Sequence, residues 1–221
     1  MIDTAIIKTA STLTCGLYGT PGSLAVDWEH KVDGPICWAV KKVGDLWYLI
    51  FRGSVTRDDW LHDFEAVAIW NADLRAHVHP GFNDGVKDIL AQAMTIIGSE
   101  DFVICGHSLG AARAAIATAY AICNDRKPIA RIVWGEPRPG FSDLASILSE
   151  VPNYNFENGD QYNYDRVTNV PFTLPFEWYC AGSPHLFVDE PPTDSNPIMI
   201  FAWHNFVLYH TAMQKLPDGA M

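Results

Sequence analysis

The sequence contains no run of the roughly 18 consecutive apolar residues that a membrane-spanning helix needs. It has no phosphate-binding loop, no dinucleotide fingerprint and no Cys/His spacing suited to zinc, so no cofactor and no metal are expected. The five cysteines (Cys15, Cys37, Cys105, Cys123, Cys180) form no CxxC pair. Their odd number suits free buried thiols in a reducing compartment better than a disulfide framework. Positive charge is also scarce. Fifteen Lys and Arg stand against 26 Asp and Glu, for a net charge of −11. Phosphate backbones and anionic lipid surfaces repel such a chain, which argues against nucleic acid as a partner and against electrostatic docking on a membrane. Transient apolar contact with a lipid surface stays open, and no obligate protein partner is implied. The N-terminal stretch MIDTAIIKTASTLTCGLYG carries Asp3 early and lacks a basic start followed by a clean apolar run. No signal peptide and a cytoplasmic location are therefore expected, with a non-classical export route left open.

What is present suits an ordinary core. Of the 221 residues, 48% are hydrophobic and 12% aromatic, enough for one domain spanning 1–221. Strand-like runs occur at Ile36–Val40, Leu46–Phe51, Phe102–Cys105 and Ile132–Trp134, each short and rich in Val, Ile and aromatics. Helical stripes run through Trp60, Phe64 and Val67, through Val86, Ile89, Leu90, Ala93 and Ile97, from Leu109 to Ile122, and from about Phe201 to Leu216. The first two strands suit a hairpin, and from there strand and helix alternate. The fold class expected is α/β, a mostly parallel sheet with helices on both faces. Pro184–Pro197 reads as a long surface loop.

One segment carries chemistry. Gly106-His107-Ser108-Leu109-Gly110 fits G-x-S-x-G, the turn that lifts a serine between a strand and a helix. The pattern alone is weak, and a plain strand-to-helix turn is the bland alternative. Its setting strengthens it, because Phe102–Cys105 makes a buried strand and Ala111, Ala112, Ala114 and Ala115 open a helix able to pack closely on a sheet. The start of that helix directs a positive dipole end at Ser108.

Five segments together resemble the class 3 lipases, the fungal-lipase-like α/β-hydrolases. They are Phe51-Arg52-Gly53-Ser54 followed by Asp59-Trp60 and Asp63, His79-Pro80-Gly81-Phe82, Gly106–Gly110, Gly135-Glu136-Pro137-Arg138-Pro139-Gly140, and Asp165–Pro171. The resemblance implies an α/β-hydrolase fold, no cofactor, and an oxyanion hole made by the backbone amides of Leu109 and Ser54. Preorganised donors of that kind stabilise the negative charge of a tetrahedral intermediate.

The order of an α/β-hydrolase is serine, acid, histidine. Asp143, Asp160 and Asp165 compete for the acid. Asp143 follows Gly-Phe-Ser and reads as a helix cap, while Asp160 sits in an Asn-Gly-Asp turn. Asp165-Arg166-Val167-Thr168-Asn169-Val170-Pro171 resembles the family's D-x-V-x-x-[LV]-P, which favours Asp165; an alternative frame places Asn169 there. Of eight histidines, His185, His204 and His210 follow the elbow in the required order. His204 opens a run like the family's late H-x-x-x-x-Y, whereas His210 lies about 240° further round a helix and reads as a surface or packing residue. His185 reads as a loop residue.

The expected activity is that of a serine carboxylic-ester hydrolase, a lipase or esterase, acting on an acyl ester or lipid. Ser108 attacks, His204 takes its proton, Asp165 orients His204, and the Ser54 and Leu109 amides hold the oxyanion. Two other readings stand beside it, a phospholipase that damages membranes and a non-catalytic binding module on the same fold. Trp60 to Trp70 suits either a lid or a fixed amphipathic helix. Phe172, Phe176, Trp178, Phe201 and Trp203 suit an acyl pocket or the core.

Overall fold

The central strands are apolar at nearly every position, which only a sheet covered on both faces can accommodate. The computed structural model describes residues 1–19, 25–54, 67–159, 164–171, 185–191 and 204–221. Along the chain these form α1 (Thr4–Tyr18), β1 (His30–Val32), β2 (Trp38–Val43), β3 (Leu46–Phe51), β4 (Ile69–Asn71), β5 (Ala76–Val78), α2 (Pro80–Asn83) and α3 (Val86–Ile97). There follow β6 (Phe102–His107), α4 (Leu109–Cys123), β7 (Ala130–Trp134), α5 (Ser142–Leu148), β8 (Asn153–Asn158), β9 (His185–Val188) and α6 (Phe206–Gln214).

Seven strands make the main sheet in the order β1-β2-β3-β6-β7-β8-β9. The β1–β2 and β2–β3 pairings are antiparallel, and every pairing from β3 to β9 is parallel. The expected hairpin is thus β2–β3, and the expected mostly parallel sheet follows it. Alternate side chains divide the interior in two. Leu49, Phe51, Ile104 and Val133 point to one face and pack with Val86, Leu90, Ala115 and Ile116 of α3 and α4. Tyr48, Ile50, Val103, Cys105, Ile132 and Trp134 point to the other and pack with Ile7 and Leu17 of α1 and Tyr209 and Met213 of α6. Helices therefore cover both faces.

The helix α4 follows directly from the nucleophile-like turn, and its residues Gly110 to Ile122 are all buried. Seven alanines among them keep the helix close to the sheet, so that its N-terminus and the ends of β3 and β6 meet.

Several expectations need correction. His185–Val188, placed in a surface loop, is instead β9, running parallel to β8 with His185 opposite Asn155. Leu186 and Val188 pack on the core while Phe187 is exposed, a period-two pattern that the neighbouring prolines and acids obscure. The helical stripe drawn from Trp60 to Trp70 ends in a strand, since Ile69–Asn71 pairs with β5. Asn71 turns the chain there, its Oδ1 accepting from the amides of Asp73 and Leu74 at 3.0 and 3.1 Å. Trp60 and Phe64 lie outside the described residues, as do Phe172, Phe176, Trp178, Phe201 and Trp203. The last helix begins at Phe206, capped by Asn205, later than the Phe201 expected. Cys15, Cys37 and Cys105 are buried thiols as expected, but Cys123 is exposed at the end of α4, and Cys180 lies outside the described residues.

Ala115 has no exposure, in a face of α4 pressed against the sheet. Ala115→Leu is expected to destabilise the fold by about 1–3 kcal/mol through overpacking, read as a lower denaturant midpoint with an unchanged slope.

Candidate active site

Ser108 stands between β6 and α4 with φ 59 and ψ −131. A non-glycine residue in that conformation stores about 1–3 kcal/mol of strain, and it persists only where the surroundings impose it. Here they do. The Ser108 amide donates to Trp134 O at 3.0 Å, and Ala111 N–H returns to Ser108 O at 2.8 Å. The serine is 4% exposed. This is the strained strand–turn–helix geometry that the G-x-S-x-G pattern leads one to expect.

The predicted acid and base meet beside it. Asp165, with no exposure, accepts from His204 Nδ1 at 2.5 Å through its Oδ2. The same oxygen accepts from Tyr209 Oη at 2.6 Å, and Oδ1 accepts from Val167 N–H at 3.0 Å. Tyr209 Oη in turn accepts from Asn158 N–H at 3.0 Å, tying α6 to β8. Burial, then the charge of Asp165, holds the Tyr209 phenol well above its ordinary pKa, so it remains the donor. Gly135, at φ 55, leaves the space this pair needs. A Cβ there would lie 2.7 Å from Asp165 Oδ2 and 2.9 Å from the His204 ring.

A second network reaches the same place from the other side. His107 Nε2 lies 3.1 Å from the His204 carbonyl, and its Nδ1 lies 2.7 Å from Tyr18 Oη. A carbonyl can only accept, so Nε2 carries the proton and Nδ1 accepts from the tyrosine. Tyr18 Oη also accepts from Gly53 N–H at 3.0 Å. The His107 and His204 rings sit 4.6 Å apart. Among the described residues no hydrogen bond joins the Ser108 hydroxyl to His204; His107, adjacent to Ser108 and in tilted ring contact with His204, brings them to one place.

Ser54 and Leu109, the expected oxyanion donors, line one cavity of about 170 Å³. Gly53 approaches the elbow so closely that a Cβ would lie 2.8 Å from both His107 O and Ser108 Cβ. Strand β3 therefore delivers Ser54 against the nucleophile turn.

The rival residues fall elsewhere. Asp143 accepts from the His77 amide at 3.1 Å and from His77 Nδ1 at 2.6 Å, fastening β5 to α5. Asn169 accepts from Arg138 at 3.0 Å and donates to Tyr164 Oη at 3.1 Å. His210 packs against α1, its Nδ1 3.1 Å from Ser11 Oγ. Asp160 lies outside the described residues. Tyr18 and Tyr209 were not singled out from the sequence as site residues. Tyr209 had a signal, as the last position of the H-x-x-x-x-Y run; Tyr18, 89 positions before His107, had none.

Burial, then the neighbouring His204, drives the His107 pKa well below the usual 6.5. Below about pH 6.5 the unfolded chain binds a proton that the folded protein refuses, so this contribution is full above that pH and lost as pH falls. His107→Gln is expected to flatten the decline of unfolding free energy between about pH 6.5 and 5 by up to about 1.4 kcal/mol per pH unit. Denaturant titrations of both proteins across that range would read it, and parallel declines would refute it.

A model of the class 3 lipases, "Lipase (class 3)", matches residues 48–174, more than half the chain. A secreted mono- and diacylglycerol lipase of Fusarium solani is 29% identical over 156 residues, covering 66% of this chain and 44% of the relative. The chain thus spans less than half the length of that curated relative. The Rhizomucor miehei lipase, in its propeptide complex, superposes with a TM-score of 0.66 at 21% identity, covering 87% of this chain and 70% of that one. A triacylglycerol lipase of Penicillium expansum gives 0.66 at 18% identity, with 86% and 82% covered. Both likenesses speak for the fold, an α/β-hydrolase fold. The expected cytoplasmic location is corrected here: the curated relative is a secreted protein, which points away from it, and the composition of the N-terminal stretch was too weak a guide. With residues 48–174 matching the family model and the same folded core in its solved relatives, the chain belongs to the class 3 lipase family.

Proposed function

We propose that the protein is a serine carboxylic-ester hydrolase of the lipase or esterase type, with Ser108, His204 and Asp165 as its triad. The buried Asp165–His204 hydrogen bond beside the strained Ser108 elbow carries this reading. Family membership and the Fusarium relative, itself a mono- and diacylglycerol lipase, support it.

The chemistry follows from the tautomer. Because His204 Nδ1 donates to Asp165, the basic nitrogen of the neutral ring is Nε2. It accepts the Ser108 proton as the hydroxyl oxygen attacks the ester carbonyl, and the resulting imidazolium is stabilised by the Asp165 carboxylate. The former carbonyl oxygen takes the negative charge and is held by the amides of Ser54 and Leu109, aided by the N-terminal dipole of α4. Collapse expels the alcohol, which takes the proton from His204. Water then attacks the acyl-enzyme by the same route and releases the acid. Tyr209 acts through Asp165 as a positioning residue, fixing the carboxylate that fixes the imidazole.

The test is hydrolysis of p-nitrophenyl esters from acetate to palmitate. Turnover is expected in the wild type and none above background in Ser108→Ala; equal rates in the two, or none in either, would sink the assignment. The preferred chain length separates an esterase from a lipase. Asp165→Asn is expected to lower kcat by about 10⁴ through the wrong tautomer. Tyr209→Phe should lower kcat about tenfold with KM unchanged, the loss of one hydrogen bond to a charged group. A Tyr209→Phe variant with full kcat would remove the tyrosine from this role.

A further inference from the structure

A buried arginine faces the cavity without a paired counter-ion among the described residues. Arg113, on the second turn of α4, is 8% exposed, and its Nε makes no hydrogen bond among the described residues. No carboxylate pairs with it there; Asp84 acts on it only at a distance. Arg52 enters the same cavity from the end of β3, its side chain 18% exposed. Its Nε is also buried without a partner among the described residues, and its one ion pair, to the mostly exposed Asp33, stretches to 3.9 Å. The cavity these two arginines share is the one lined by Ser54 and Leu109.

Such an arrangement is costly for the fold. A guanidinium removed from water needs a compensating charge or a full set of acceptors, and buried arginines are rarely left without them. Arg113 has a further penalty, since it lies near the positive end of the α4 dipole. Burial pulls its pKa down to about 10, which still leaves it charged at neutral pH. The contrast with Arg131 is instructive. That arginine is fully buried, but it is paired with Glu136 and bonded to Asn153. The fold supplies partners where a cation is structural.

We propose that Arg113 and Arg52 form an anion subsite beside the oxyanion hole, selecting acyl esters that carry a phosphate or carboxylate a few bonds from the scissile carbonyl. The inference rests on the hydrolase reading above and names its substrate class. The planar fork of each guanidinium matches two oxygens of such a group, and the anion supplies the missing counter-charge. An overall charge of −11 repels anionic substrates at long range, so this preference is a property of the cavity and not of the surface.

Three soluble short-chain substrates test it: a diacylglycerol, the same lipid bearing a phosphate, and the same lipid bearing a hemisuccinate. The wild type is expected to favour one or both anionic esters by about 10- to 100-fold in kcat/KM, the worth of a charge-assisted hydrogen bond or two. Which of them is favoured tells phosphate from carboxylate. In Arg113→Met the ratio of anionic to neutral kcat/KM should collapse towards one. A wild type that handles the neutral lipid as well as the anionic ones, or a preference that survives in Arg113→Met, overturns the subsite while leaving the hydrolase reading standing. If Arg113 merely strengthens the oxyanion hole, Arg113→Met would slow all three substrates alike and leave the ratio unchanged, which also overturns the subsite. Inorganic phosphate provides a measure that needs no variant: it should inhibit wild-type hydrolysis of the neutral lipid competitively, and its failure to do so refutes the subsite. No turnover of any of the three would remove the hydrolase reading and the substrate class with it.

Discussion

A carboxylate with no solvent exposure must have its water replaced by protein donors, and the arrangement around Asp165 follows from that requirement. Removing an ion from water costs several kcal/mol unless good geometry returns it. Asp165 receives three donors from two separate parts of the chain: the Val167 amide of its own turn, and His204 and Tyr209 from the C-terminal segment. Only the first of the three is local; the other two arrive from 39 and 44 positions away. Tyr209 reaches Asp165 because α6 lies on the face of the sheet where Trp134 and Phe156 also point, and its hydroxyl is held there by Asn158 of β8. Gly135 yields the volume that the imidazole occupies. Satisfying the buried charge and placing the His204 imidazole are thus the same folding event. A protein that failed to dock α6 would leave the carboxylate unpaired and the imidazole without its orienting partner.

The network through Tyr18 does for the Gly53–Ser54 backbone what Tyr209 does for Asp165. One hydroxyl accepts from Gly53 N–H and donates to His107, whose other nitrogen donates to the His204 carbonyl. The backbone that delivers Ser54, the residue before Ser108, and the backbone of His204 are joined by three bonds, the last of them buried. Preorganisation of this kind matters because donors that need not rearrange stabilise developing charge far better than water does. It depends on α1, which covers the sheet and ends at Tyr18, capped by Gly19 at φ 61.

Much of this was legible in the sequence, for identifiable reasons. The central strands are continuous apolar runs and α4 is nearly all alanine and other small or apolar residues, so local composition alone marks the parallel core and the elbow. Asp165 and His204 were reached through a family resemblance and chain order, with Asp143 and Asp160 still competing. The structure gives Asp143 a partner in His77 that no local rule foresees, since the pairing spans 66 positions. The N-terminal helix was missed although its signals are present: Asp3 caps it, Gly19 ends it, and Ile7, Ser11, Thr14 and Leu17 make its buried face. Two of those four are polar, which blurs the stripe. The strand β9 was hidden because its prolines and acids lie just outside the four residues that pair. Short edge strands owe their form to the neighbour they find, and that neighbour is 30 residues away.

Buried arginines are the other charges this fold must accommodate. With only 15 basic residues in the chain, each buried one needs a reason. Arg131 has one in Glu136, a pair sealed beneath the sheet with Asn155 on the second carboxylate oxygen. A methionine or leucine would fill the Arg113 site without desolvating a charge, and at that position on α4 it would pack against the same apolar neighbours. The charge is kept instead, beside the amides that would hold an oxyanion and at the end of a helix that already presents positive potential. Three sources of positive potential converge on one small cavity in a molecule that is acidic overall. A neutral ester makes use of them only during the reaction, when its carbonyl oxygen becomes charged. An ester that is already an anion meets them on binding, and this difference between ground state and transition state is what decides whether the cavity sets rate or selects substrate.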